Sequence, residues 1–184
     1  MQNIGFIGTG LMGFPMAKNI LKAGYKVKAF NRSINKAEPL KDFGAEISNS
    51  IGELVKESHV VITMLTNDDV VNEVMGSDDF LNNLKPNSTV IDMSSVKQTT
   101  AVNHGKNLKS RKINYLDAPV SGGTIGAEEA SLAIMIGGEQ MVFDSVKDIL
   151  KSMGNPTLVG PIGCGQVSKS VSYTHLRAHE TDRH

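Results

Sequence analysis

The stretch NIGFIGTGLMGFPMAKNILKAG, residues 3–24, joins a short apolar run, a turn with three spaced glycines and an amphipathic segment, with nothing between them. Few folds accept that order. The apolar run suits a strand buried on both faces. Leu11, Met12, Met16, Ile20 and Leu21 fall on one face of a helix that Gly24 would stop. Each glycine has its own task at such a junction. Gly8 permits the tight turn, Gly10 lets the backbone approach a pyrophosphate, and Gly13 lets the helix lie close on the strand. Leu11 and Met12 share the loop. The helix N-terminus adds free N–H groups and the positive end of its dipole, so the junction reads as a dinucleotide-binding turn.

The alternation continues along the chain. YKVKAF, HVVITML, STVIDM, INYLDA and SLAIMIGG read as strands, and NPTLVG closes the series. Helices are expected over residues 34–43, where Pro39 interrupts or re-aims the segment, and over TNDDVVNEVM, capped by Thr66 or Asn67. Two more are expected over residues 97–108 and EQMVFDSVKDILKSMG. Strands separated by helices imply βαβ units. The expected class is α/β, a Rossmann-type doubly wound and largely parallel sheet spanning residues 1–162.

The end of the second strand bears on which dinucleotide fits. An NAD site usually places Asp or Glu there to bond the ribose 2′-hydroxyl. This chain has Asn31, Arg32 and Ser33 instead. The Arg32 fork and the short polar side chains can receive a 2′-phosphate that a carboxylate would repel. NADP is therefore favoured, with NAD still possible; the other reading of Arg32 is a solvated loop charge.

Nineteen basic and nineteen acidic side chains give zero formal charge, which argues against nucleic acid or an anionic membrane as the main partner. Cys164 is the single cysteine, so no internal disulfide can form and a reducing compartment fits. No run is long enough to span a bilayer, and no basic-then-apolar leader precedes the first strand. The expectation is a cytoplasmic protein with neither nucleic acid nor membrane as partner.

Four blocks carry a family resemblance: IGFIGTGLMGFPMAKNILKAG, VIDMSSV, LDAPVSGGTIGAEEASLAIMIGG and GPIGCGQVSK. The chain resembles the β-hydroxyacid dehydrogenases, which include 3-hydroxyisobutyrate dehydrogenase, 2-hydroxy-3-oxopropionate reductase and the glyoxylate and succinic semialdehyde reductases. The resemblance implies hydride transfer between a nicotinamide and a small carboxylate-bearing hydroxy acid or semialdehyde, in a homo-oligomeric parent. It places Met64 and Leu65 in the cofactor loop, with Thr66 where the family carries proline, and Ser95 near the nicotinamide. Ser121, Gly122 and Gly123 match the substrate loop, and Lys169 matches the catalytic lysine. The residue types suit those roles. A Ser-Gly-Gly turn offers a hydroxyl and approachable N–H groups to a carboxylate, and a lysine can give a proton to a nascent alkoxide. Taken alone, SSVKQTT also reads as a helix cap supplied by Ser94 or Ser95.

The family continues past the lysine with a long helix and an all-helical second domain. Here residues 163–172 open that interdomain helix, and Tyr173 stands where the resemblance expects asparagine. The stretch YTHLRAHETDRH, residues 173–184, has no helical apolar stripe. His179 and His184 are five apart rather than the four a zinc helix needs, and His175 with His179 lacks a third ligand, so no metal is expected. The stretch resembles non-native read-through and is set aside in the fold reading, which makes the chain an N-terminal fragment expected to turn over poorly. The alternative reading is a non-catalytic dinucleotide-binding module of the same fold; an imine reductase ranks below it, because that class normally lacks the lysine.

Overall fold

The computed structural model describes residues 2–181. The chain begins β1 (Asn3–Ile7), α1 (Gly13–Lys22) and β2 (Lys26–Phe30), then β3 (Glu46–Ile47), α2 (Ile51–Lys56) and β4 (Val60–Thr63). Next come α3 (Asp68–Met75), α4 (Asp78–Leu81), β5 (Thr89–Asp92), α5 (Gln98–Ser110) and β6 (Asn114–Asp117). The last third holds β7 (Val120–Ser121), α6 (Gly123–Glu129), β8 (Leu132–Gly137), α7 (Gln140–Lys151), β9 (Gly154–Gly160) and α8 (Cys164–Thr181).

All the described strands join one sheet in the order β3-β2-β1-β4-β5-β6-β8-β7, with β9 paired to β8. The pairs from β3 to β6 are parallel. Chain order reverses between β1 and β4, which in a doubly wound sheet opens a crevice at the C-terminal strand ends. Beyond β6 the sheet changes direction: β8 runs antiparallel to β6 and β7, and β9 runs parallel to β8. The central strands are apolar on both faces because helices cover both. In β4, Val60 and Ile62 enter one buried cluster with Phe6, Met16 and Ile91. Val61 enters the other with Leu54, Met75 and Phe80.

Several sequence expectations change in detail. Residues 34–43 form no α-helix but two short 3-10 turns, Ile34–Lys36 and Glu38–Phe43. Pro39 lies in the first turn of the second, where its missing N–H costs least. Leu11 is not on the buried face of α1; that helix starts at Gly13, and Leu11 is 85% exposed. Asn67, not Thr66, caps α3, its Oδ1 accepting from Val70 N at 3.0 Å. The short elements β3, α2, α4, β7 and α6 carry too few residues to show a period. The α8 backbone runs past Ser172 to Thr181. The side chains of Tyr173, His175 and His179, and all of His184, lie outside the described residues, and with them the metal question those histidines raised. Among the described residues, no helix is long and apolar enough to cross a membrane.

Candidate dinucleotide and proton-transfer site

The three glycines of the first turn meet three different constraints. Gly8 has φ +101°, and a side chain there would strike the Met64 carbonyl. Its N–H donates to Phe30 O at 2.9 Å, so the turn is tied to the end of β2. A side chain at Gly13 would strike the Gly8 carbonyl; α1 lies that close to β1. Gly10 differs from both. No atom lies within 4 Å of where its side chain would be, and its φ is not positive. Neither packing nor backbone geometry requires glycine at that position, so the open space there suits a ligand's backbone approach. The first turn of α1 carries no acidic residue and no side-chain cap; Phe14 N donates to Gly10 O at 3.0 Å and Pro15 has no N–H, so what this end of the helix offers an anion is the N–H groups of Met12 and Gly13.

Around this turn the strand ends converge. Thr9 N donates to Asn31 Oδ1 at 2.9 Å, and Asn31 Nδ2 donates to Ser33 O at 3.0 Å. Thr9 Oγ1 donates to Lys36 O at 3.0 Å. Arg32 and Ser33 are exposed at the rim. A cavity of about 620 Å³ opens beside the turn, lined by Thr9, Gly10, Leu11, Phe14 and Lys36 among others; its size suits a small-molecule ligand.

A hydrogen-bonded path leads from the loop after β4 to Lys169. Leu65, packed against Gly8, donates its N–H to Ser94 Oγ at 2.8 Å. Ser94 N and Thr63 Oγ1 both donate to Asp92 Oδ1, at 3.0 and 2.9 Å. The next residue, Ser95, accepts a hydrogen bond from Lys169 Nζ at 2.5 Å. Neither serine caps α5, which has no side-chain cap; Asp68 Oδ2 instead ties down its start, accepting from Lys97 N at 2.9 Å and Thr100 Oγ1 at 2.7 Å. Lys169 is half-buried, and burial lowers its pKa below the ordinary 10.5.

The start of α8 is fixed by Asp117, a fully buried carboxylate at the end of β6. Its Oδ1 accepts from Gly163 N at 2.7 Å and its Oδ2 from Gln166 N at 3.1 Å. A side chain at Gly165 would collide with Met135 O and Asp117, so this end of α8 packs with almost no clearance. Gln166 reaches back to the β5 loop, donating from Nε2 to Ser94 O at 2.8 Å and accepting from Val96 N at 3.1 Å. Asp92 and Asp117 are register partners on β5 and β6. Burial pushes Asp92 up to about 6, opposed by its hydrogen bonds and reinforced by Asp117. Asp117 is also raised by burial, against the pull of the N–H groups it accepts from. The buried Tyr115 phenol is held well above its ordinary value, first by burial and then by these two carboxylates.

Of the residues expected from sequence, Gly8, Gly10, Gly13, Asn31, Met64 and Leu65 thus lie on one connected loop system, which Ser94 and Asp92 link to Ser95 and Lys169. Ser121, Gly122 and Gly123 lie further along the sheet. Ser121 pairs with Ala133 on β8, the strand whose Met135 carbonyl abuts Gly165. Gly122 and Gly123 have φ +139° and +61°, and α6 after them is tied to α1 through Asn19 Nδ2, which donates to Ala127 O at 2.7 Å. Sequence reasoning missed Asp92, Asp117 and Gln166. The available signal was an acidic residue closing each of two apolar strands, where a buried carboxylate must find donors.

A model of the NAD-binding domain of 6-phosphogluconate dehydrogenase matches residues 3–165. The chain is 41% identical over 179 residues to the uncharacterized oxidoreductase YkwC of Bacillus subtilis, covering 96% of this chain and 62% of that protein. It is 37% identical over 172 residues to the mitochondrial 3-hydroxyisobutyrate dehydrogenase of Drosophila melanogaster, covering 91% and 52%. Mycobacterium tuberculosis 3-hydroxyisobutyrate dehydrogenase, solved with L-serine, superposes with a TM-score of 0.92 at 34% identity, covering 96% of this chain and 60% of that one. The chain therefore spans between about half and just over three fifths of the length of these proteins.

The Asp92 environment gives a stability signature. A carboxyl raised from 3.8 to about 6 binds its proton more tightly folded than unfolded, so its contribution is full below about pH 4 and is lost as pH rises towards 6. Asp92→Asn keeps an oxygen for Thr63 and Ser94 but cannot titrate. The stability difference, variant minus parent, should rise by about 2 kcal/mol between about pH 4 and pH 6.5. Urea unfolding at a series of pH values measures it; a difference that does not vary with pH would contradict the assignment.

Proposed function

The chain belongs to the family of the NAD-binding domain of 6-phosphogluconate dehydrogenase, and we propose that it is the cofactor-binding part of an NAD(P)-dependent oxidoreductase acting on a small hydroxy acid and its aldehyde or keto partner. Residues 1–162 are its dinucleotide-binding domain, and residues 163–172 open an interdomain helix that carries Lys169. The observation that carries this reading is the half-buried Lys169 amine on Ser95, joined through Ser94 and Leu65 to the turn around Gly8. The names of the relatives, 3-hydroxyisobutyrate dehydrogenase among them, support the substrate class.

The chain's residues fit a dinucleotide: Gly10 leaves open space, Met12 and Gly13 at the α1 N-terminus offer their N–H groups, and no carboxylate closes β2. Such a cofactor supplies a hydride to the substrate carbonyl carbon, or accepts one in the reverse reaction. Lys169 does the proton work. As an ammonium it sits beside the oxygen that gains negative charge, gives it a proton and becomes a neutral amine that solvent reprotonates. Burial, by lowering its pKa, makes that transfer easier, and in oxidation the neutral amine takes the proton instead. Ser95 orients the amine by accepting one of its hydrogens. Ser121, Gly122 and Gly123 offer a hydroxyl and exposed backbone to the substrate carboxylate. Arg32 and Ser33 at the rim receive the 2′-phosphate, so NADP is preferred over NAD.

Gly10→Ala, which meets no neighbour, should leave the unfolding midpoint unchanged yet weaken NADPH binding at least about tenfold by fluorescence titration. Equal loss of stability and affinity would show that the glycine serves the fold. Arg32→Ala should weaken NADPH but not NADH; parallel loss of both would remove the 2′-phosphate role. For the chemistry, Lys169→Ala is assayed in the protein extended to the length of its relatives, with NADPH and a small semialdehyde. Turnover should fall about 10²- to 10⁴-fold with cofactor affinity little changed. Full turnover by that variant would sink the proposed proton transfer.

A further inference from the structure

We propose that Gln166 is a positioning residue that locks the cofactor loops to Lys169, so that the lysine and the dinucleotide site act as one unit. The inference rests on the reading of Lys169 as the proton-transfer group. Gln166 is 4% exposed and uses both ends of its amide on one loop. It donates to Ser94 O and accepts from Val96 N, the two backbone groups that flank Ser95. Ser95 is thus gripped from both sides while its hydroxyl accepts from Lys169. Gln166 and Lys169 are three apart on α8 and so share one helix face. The Gln166 backbone N–H is held in turn by Asp117.

The chemistry of the side chain is specific to this task. Ser94 O needs a donor and Val96 N needs an acceptor, and among side chains of this length glutamine alone carries both. Glutamate would put an ionised oxygen against the Ser94 carbonyl, and methionine would leave both groups unpaired. The grip also reaches the cofactor side, because Ser94 Oγ accepts from Leu65 N, next to Gly8. A shift of the 94–96 loop therefore moves the lysine's partner and the cofactor loop together.

The test uses the full 184-residue chain with ¹³C-labelled lysine. In Gln166→Met, the Lys169 Cε titration midpoint should move up towards 10.5 as the amine is released to water. NADPH affinity should fall about tenfold at the same time. A folded Gln166→Met chain with an unchanged Lys169 midpoint overturns the inference. Should that variant fail to fold, amide exchange in the unsubstituted chain decides: a Val96 N–H as protected as Ile91 on β5 supports the grip, and free exchange overturns it. The Lys169→Ala assay separates the two readings. If that variant keeps full turnover while Gln166→Met still moves the Lys169 midpoint, the positioning role stands and the catalytic reading falls. If Lys169→Ala loses turnover while Gln166→Met leaves the midpoint in place, the reverse holds.

Discussion

Asp117 sits fully buried at the end of β6, and a buried carboxylate is tolerable only if it is supplied with hydrogen bonds. The donors come from the N-terminus of α8, through Gly163 N and Gln166 N. That pairing serves both groups: the helix end needs an acceptor, and the positive end of its dipole favours a negative charge. It also decides where α8 points. With the helix start fixed on β6, Gln166 faces the 94–96 loop and Lys169 lands on Ser95. A buried charge of this kind is weak evidence for stability. Its value here is orientation, because it sets the direction of the one helix that carries the amine.

The neighbouring carboxylate follows the same logic with a different result. Asp92 lies in register beside Asp117 and accepts from Thr63 and Ser94 through one oxygen. Burial pushes its pKa up to about 6 against the pull of the Ser94 and Thr63 hydrogen bonds, and the like charge of Asp117 adds to the rise. The two acids close adjacent parallel strands at the crevice end of the sheet, where strand order reverses two positions away. One shapes the loop on the cofactor side, the other anchors the helix on the lysine side, and Gln166 spans the gap between them.

Much of this was legible in the sequence, and what was not has physical causes. The glycine turn could be read because Gly8 and Gly13 answer to local sterics and lie between a clean strand and a clean helix. The long apolar strands could be read because burial on both faces removes polar residues from them. Residues 34–43 have helical spacing with Pro39 as an interruption, but they form two 3-10 turns that bury Leu40 and leave Ile34 and Phe43 exposed, so no apolar stripe holds an α-helix there. Ser94 and Ser95 read as caps because serine satisfies helix N–H groups wherever it can, yet here both bond across the fold to Leu65 and Lys169. Asp117 announces itself only as an acidic residue closing an apolar strand; its partners lie 46 and 49 residues away, and no local period records them.

The central claim is that Lys169 stands at the reacting end of the dinucleotide site. Amine-selective labelling of the chain with and without saturating NADPH, read lysine by lysine by mass spectrometry, tests it most directly. The account predicts that NADPH slows labelling of Lys169 severalfold, while the exposed Lys56, at the end of α2 near the start of β1, labels at an unchanged rate. Labelling of Lys169 at the same rate in the presence of bound NADPH would contradict it.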